Sequence, residues 1–146
     1  MIEHIWTVIC SRAIIDKDSN NVSLQNVLEE FKIFSHPQPD GLLPINYDLI
    51  TLWIRADEDN PCEANSRFSL ISPSGINLFQ MEQPVDLTKN ERTRNKLRFA
   101  GFPATEEGKH YFIVELQTED GTWNEKKRIP LRLRFQPPET LSSSED

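Results

Sequence analysis

Residues 108–135 read GKHYFIVELQTEDGTWNEKKRIPLRLRF, and they predict two long β-strands joined by a tight turn. Asp120 and Gly121 supply the turn, because both residue types tolerate the positive φ angles that short hairpin turns require. Apolar and basic side chains then alternate. Ile129, Leu131, Leu133 and Phe135 share one face, and Arg128, Arg132 and Arg134 share the other. A period of two with one apolar face is typical of a sheet that packs on a core from one side.

The rest of the chain repeats this pattern of short strands and turns. Residues 48–56 and 95–100 alternate as strands do, and residues 67–72 and 76–81 predict a hairpin around Pro73, Ser74 and Gly75. No long helical pattern is present. We therefore predict an all-β fold, a single immunoglobulin-like antiparallel β-sandwich of about seven to nine strands.

One segment, residues 22–35, allows two interpretations. Leu24, Val27, Leu28 and Phe31 have the spacing of one helix face. The Asn-Asn turn before them and the β-branched and aromatic residues at the end favour a strand with a break near Asn26. We favour the strand and retain the helix as the alternative interpretation.

The chain length is that of one domain. A chain of 146 residues with 37% hydrophobic residues can bury one core. We predict one β-sandwich domain over residues 1–136 and a disordered, acidic and serine-rich tail over residues 137–146.

The charge is unevenly distributed. The formal net charge is -7, which makes nucleic acid an unlikely partner. Residues 1–70 carry 11 acidic and 5 basic side chains, whereas residues 71–146 carry 12 acidic and 11 basic ones. The basic residues of the second part cluster at 89–98 and 126–134.

Compartment is inferred from the cysteines and the N-terminus. Cys10 and Cys62 do not make a disulfide framework. The N-terminal residues lack the basic and apolar regions of a signal peptide, and no apolar run is long enough for a membrane span. These features predict a cytoplasmic protein.

Catalytic motifs are not evident. Three histidines occur, His4, His36 and His110, without a nucleophile elbow, an H-E-x-x-H pair or a glycine-rich phosphate loop. We predict neither catalysis nor a cofactor, and we keep an unrecognised hydrolase as an alternative, for which a histidine clustered with a cysteine or aspartate would be the first sign.

Acidic residues suggest a weak calcium alternative. Asp16, Asp18 and Asn20 have the spacing of the first calcium-loop ligands, but Asn21 and Val27 stand where that loop needs glycine and glutamate. Asp16 and Asp18 could instead meet Asp57 and Asp59 at one end of the sandwich, as in a calcium- or lipid-responsive module. A solvated hairpin turn is the interpretation we favour, with no metal.

The outward arginines of the last strand are the main candidate contact residues. Arg128, Arg132 and Arg134 could bind an acidic surface of an unidentified protein partner, or they could serve only to keep strand edges from aggregating. Trp53 with Arg55 is a second candidate, because exposed Trp and Arg are frequent in binding hot spots. Trp53 would be buried instead if its strand is covered on both faces. A homo-oligomer is also possible.

Several motifs together resemble a known family. They are the segment D…NNVSLQNV after an apolar first strand, FSLISPSG, KLRF…F and the final GKHYFIVEL…DG…PLRL. Over about residues 4–135 the chain resembles a family of small bacterial proteins, classed as a domain of unknown function, with an immunoglobulin-like β-sandwich. The resemblance implies that fold and no catalytic residues. Tyr111 also resembles the tyrosine corner of immunoglobulin-like domains.

Overall fold

The computed structural model describes residues 1–34 and 41–136, which contain eleven β-strands and no helix. The strands are β1 (Ile2–Ile15), β2 (Val22–Val27), β3 (Glu30–Ile33), β4 (Leu42–Leu43), β5 (Tyr47–Arg55), β6 (Cys62–Ile71), β7 (Asn77–Leu87), β8 (Arg92–Phe99), β9 (Phe102–Pro103), β10 (Gly108–Gln117) and β11 (Trp123–Phe135). The all-β prediction is confirmed. The predicted tail at 137–146 and His36 lie outside the described residues. In the described ranges, no helix has the length and apolar character needed to span a membrane.

The strands form two main sheets. The first sheet has the order β2-β1-β5-β8, and the second has the order β3-β11-β10-β6-β7. Short strands β4 and β9 pair separately. All neighbours are antiparallel except β3, which runs parallel to the end of β11.

One hydrophobic core lies between the sheets. The first sheet contributes Ile9, Leu49, Trp53 and Leu97, and the second contributes Phe68, Leu70, Phe112, Val114, Leu131 and Leu133. Burial of this apolar surface is the main force that holds the two sheets together.

The two predicted hairpins are present. β10 pairs with β11 around a turn in which Gly121 has a φ of 88°, and β6 pairs with β7 around Gly75, whose φ is 93°. These left-handed angles favour glycine, which has no Cβ to clash. Gly75 and Gly121, which predicted these turns, therefore have the backbone conformation that the turns require.

Residues 22–33 form strands, so the helix alternative is wrong. β2 pairs with β1 in the first sheet, while β3 pairs with β11 in the second. The chain changes sheets between them, and Asn26 just before the crossing has a φ of 50°. Asparagine adopts this left-handed conformation more readily than most residues, in agreement with the predicted break.

Strand β5 is covered on both faces. Trp53 is 0% exposed and packs in the main core, so it is not the exposed contact residue that one of the two sequence interpretations required. On the other face, Ile50 packs with Cys10 and Ala13 in a second, smaller cluster. The second face is buried because another part of the chain lies over it.

The β1–β2 hairpin provides that cover. Beyond Cys10 it bends across the outside of the first sheet, and three hydrogen bonds hold it there. The Ala13 amide donates to Asp48 Oδ2 at 2.8 Å, Arg98 Nη1 donates to the Ser11 carbonyl at 3.2 Å, and Arg94 Nη2 donates to the Asn20 carbonyl at 2.6 Å. Because Arg94 and Arg98 belong to β8, the hairpin reaches the far edge of its sheet.

Candidate protein-binding face

The predicted contact arginines lie on the face of the second sheet that points away from the core. Alternate residues of β10, from His110 to Leu116, are buried in the core, so the residues between them lie on the opposite side. We call this side the outer face. Its members are Glu63, Arg67, Ser69 and Ile71 of β6, Gln80, Glu82 and Asp86 of β7, Lys109, Tyr111, Ile113, Glu115 and Gln117 of β10, and Trp123, Glu125, Arg128, Pro130, Arg132 and Arg134 of β11.

Two aromatic rings on the outer face lie under guanidinium groups. The Arg67 Cζ atom is 4.3 Å from the centre of the Trp123 ring, and the Arg128 Cζ atom is 5.2 Å from that of Tyr111. These distances allow attraction between a cation and the electron-rich ring face. The stacking restrains long side chains before any partner arrives.

Tyr111 does not act as a tyrosine corner, because its ring lies on the outer face and its hydroxyl has no hydrogen-bond partner among the described residues. Tyr47, by contrast, is buried in the core and hydrogen-bonds a backbone carbonyl through its hydroxyl. The Tyr47 hydroxyl donates to the Gly101 carbonyl at 3.3 Å, and burial raises the pKa of Tyr47.

Three of the outer-face arginines are paired with carboxylates. Arg67 binds Glu115 through two hydrogen bonds of 2.9 and 3.0 Å. Arg128 binds Glu125 through two bonds of 3.2 and 2.8 Å. Arg134 Nε lies 2.7 Å from Glu30. The Arg128 hydrogen bonds lower the pKa of Glu125, so this carboxylate stays charged at neutral pH.

Two cations on the outer face have no such partner. Lys109 and Arg132 lie directly opposite each other on β10 and β11, and neither has a carboxylate within 4 Å among the described residues. Like charges at facing positions destabilise a sheet. Both side chains, with Arg134, line a groove of about 520 Å³, whose other walls include apolar Ile129 and Val27 and acidic Glu29 and Glu30.

The second predicted contact pair, Trp53 and Arg55, makes contacts within the fold. Arg55 Nε donates to the Leu87 carbonyl at 2.8 Å, and its Nη1 donates to the Glu58 carbonyl at 2.8 Å. Arg55 therefore ties the end of β5 to the neighbouring loop and to β7. With Trp53 buried, the structure does not bring these two residues together as a surface site.

The calcium candidates are not brought together either. Asp16 accepts a hydrogen bond from the Ser19 amide within the β1–β2 turn, and Asp57 accepts one from the Asp59 amide within the β5–β6 loop. Across residues 1–34 and 41–136, no three acidic, histidine or cysteine side chains form a group that could hold a metal ion. Asp16 and Asp57 each stabilise their own turn instead.

The rings of His4 and His110 each lie within hydrogen-bond distance of a neighbouring protein oxygen. His4 Nε2 lies 2.6 Å from Thr7 Oγ1, which lies 2.9 Å from Thr51 Oγ1, but Thr7 is only 8% exposed. His110 is buried, and its Nδ1 lies 3.2 Å from the Gly108 carbonyl. Burial lowers the pKa of both rings, and Lys127 and Lys126 lower that of His4 further.

Catalytic use of these groups would need an accessible nucleophile and an oriented base. Within the described residues, no carboxylate hydrogen-bonds either ring, and Cys10, whose pKa is raised by burial, lies in the cluster under the hairpin. His4, Thr7 and Thr51 form a hydrogen-bonded polar chain, whereas the Nε2 of His110 is buried and has no hydrogen-bond partner among the described residues.

A scan against protein-family models finds no match, and a search of curated proteins finds none either.

Sequence reasoning located three of the eighteen outer-face residues named above. It found the arginines of β11, but it missed Arg67, Trp123 and Glu82. The available signal was the alternation in residues 66–71, where buried Phe68 and Leu70 imply that Arg67 points outward. The missing information was which strands lie side by side.

Proposed function

We propose that this chain is a non-catalytic protein-binding or assembly module that uses the outer face of its second sheet. The observation that carries the proposal is the unpaired Lys109 and Arg132 beside restrained aromatic and arginine side chains. An acidic surface on a partner would relieve the repulsion between these two cations.

The composition of the outer face supports this function. Tyrosine, tryptophan and arginine are enriched at protein interfaces, and they dominate binding energy where alanine scans have been made. Here Tyr111, Trp123 and Arg128 occur on one surface, with Ile71 and Ile113 half-buried between them. The outer face carries five basic and five acidic side chains, so it is less acidic than the chain as a whole, whose net charge is -7.

We further propose that the fold is an immunoglobulin-like β-sandwich and that the chain belongs to the bacterial family it resembles. In support, the order β1-β5-β8 matches strands A, B and E of that fold, and β11-β10-β6 matches G, F and C. A cytoplasmic location is part of this proposal. It is supported by two free cysteines, one buried and one half-buried.

Charge reversal with a matched control tests the function. We would replace Arg128, Arg132 and Arg134 with glutamate, and in a control variant replace Lys89, Arg92 and Lys96, which are exposed and lie away from the outer face. Tagged proteins would be used to capture partners from native lysate at low and moderate salt, with identification by mass spectrometry.

The proposal expects a stoichiometric protein captured by the native chain and by the control, and lost from the outer-face variant and at moderate salt. Folding of each variant would be checked by circular dichroism. Capture of the same protein in equal amounts by all three chains would refute the assignment of this face.

A further inference from the structure

The outer face is charged oppositely at its two ends. One end carries the unpaired Lys109 and Arg132, next to the ion pair of Arg134 with Glu30, and we call it the cationic end. The other end carries the exposed carboxylates of Glu63, Glu82 and Asp86, and we call it the acidic end. Cross-strand register places Glu63 opposite Asp86 and places Glu82 opposite Arg67.

The two ends are too far apart to neutralise each other within one molecule. Glu82 lies in the same cross-strand row as Glu115, six residues along β10 from Lys109. At about 3.4 Å per residue this is roughly 20 Å, well beyond the ~8 Å screening length at physiological ionic strength. Lys109 and Arg132 at one end and the three carboxylates at the other therefore remain available to a partner, whereas Arg134 is already paired with Glu30.

We infer that the partner for this face is a second copy of the chain, bound face to face about a two-fold axis that crosses the strands. Such an axis places the cationic end of each copy over the acidic end of the other, and it does so twice by symmetry. This inference rests on the proposed function, because it names the occupant of the same face.

The centre of the face suits such a contact. Tyr111, Ile113 and Ile71 lie between the charged ends and would be covered by the same residues of the partner. The ion pairs of Arg67 and Arg128 are already formed within each copy, so they would bring fewer unpaired charges into the interface. The two-fold contact would thus bury the apolar centre of each face and place oppositely charged ends against each other on both sides of it.

A charge-swap experiment tests the inference. One variant carries Lys109→Glu and Arg132→Glu, which makes both ends acidic. A second carries Glu63→Lys and Glu82→Lys, which makes both ends basic. A control carries Lys89→Glu and Lys96→Glu, two exposed positions of the β7–β8 loop and of β8. Association is measured by sedimentation equilibrium, and folding by circular dichroism and urea unfolding.

We expect the native chain and the control to form dimers, and each swapped variant alone to associate at least about tenfold more weakly. An equimolar mixture of the two variants should form heterodimers, because an acidic end of one variant then meets a basic end of the other at both contacts. A single chain that carries all four substitutions should dimerise with itself again, which separates a lost contact from a damaged fold.

A native chain that stays monomeric at several hundred micromolar would overturn the inference. So would two folded variants that do not associate when mixed. If the native chain is monomeric but still loses its lysate partner on reversal of Arg128, Arg132 and Arg134, the proposed function stands and only the self-association fails.

Discussion

Asp48 shows how much of this fold depends on one buried charge. Its side chain is 0% exposed, accepts a hydrogen bond from the Ala13 amide at 2.8 Å and binds Arg98 Nη1 at 3.0 Å. A buried carboxylate is costly unless such partners satisfy it. Asp48 therefore joins the β1–β2 hairpin to β5 and β8, and thereby keeps the outside of the first sheet covered.

Replacement of Asp48 by alanine should destabilise the protein by about 2–4 kcal/mol, because a buried amide and a guanidinium each lose their acceptor. Asp48→Asn keeps one acceptor oxygen and should cost less. Urea unfolding followed by fluorescence measures both changes. A cost below about 0.5 kcal/mol for Asp48→Ala, the range of ordinary surface substitutions, would contradict this role.

His110 should make stability depend on pH. Burial lowers the pKa of His110 from 6.5, and its buried Nε2 has no hydrogen-bond partner among the described residues. The unfolded chain then binds a proton more readily than the folded chain. The free energy of unfolding should therefore be greatest above pH 6.5 and should fall as the pH decreases from there towards the lowered folded pKa.

Urea titrations between pH 7.5 and pH 5, a window set by the histidine pKa, would measure this slope. His110→Leu should flatten it in part, whereas His4, whose pKa is also lowered, should keep the remainder. An unchanged slope in His110→Leu would show that the ring is solvated in the folded protein, against its burial here.

At the scale of elements, the sequence predicted strands and turns well but not which faces are buried. The alternation of Ile50 and Ile54 against Trp53 is real, yet the tryptophan side faces the main core. Ile50 is buried too, under a hairpin that begins forty residues earlier in the chain. Local periodicity describes one strand and its two faces, whereas burial depends on what packs against each face.

The turns are the elements whose chemistry can be tested most directly. Gly75 and Gly108 both have positive φ angles, of 93° and 130°. A Cβ atom on Gly75 would meet nothing within 4 Å, but one on Gly108 would lie 2.9 Å from Pro73 Cγ. Gly108 thus serves both the backbone angle and the close approach of β10 to the β6–β7 turn.

Gly75→Ala should cost about 1 kcal/mol from backbone strain alone, and Gly108→Ala should cost clearly more because Pro73 must also move. Thermal unfolding of the two variants side by side provides the comparison. Equal losses would mean that the contact with Pro73 relaxes freely, contrary to the packing described.

The outer face illustrates the same limit of sequence reasoning. The outward arginines of β11 followed from alternation alone. Their meaning depends on Lys109 of β10 and on Glu82 of β7, which the fold places on the same surface across four strands. Without the strand order, a charged strand looks the same whether it prevents aggregation or binds a partner.

At the scale of the whole molecule, the apolar core and the charged outer face respond differently to salt. The core between the sheets holds the fold and consists of uncharged side chains. The proposed dimer depends instead on two ends of opposite charge that meet across an interface. Salt should therefore separate association from folding.

Raising NaCl from about 0.1 M to about 1 M shortens the electrostatic screening length from ~10 Å to ~3 Å. The dissociation constant of the dimer should rise at least about tenfold over this range, while far-ultraviolet circular dichroism stays unchanged. The Lys89→Glu, Lys96→Glu control should respond as the native chain does, because those positions lie outside the outer face. A dissociation constant that is constant or falls with salt would mean that the apolar centre, rather than the charged ends, drives association. In that case the charge-swapped variants should still form homodimers.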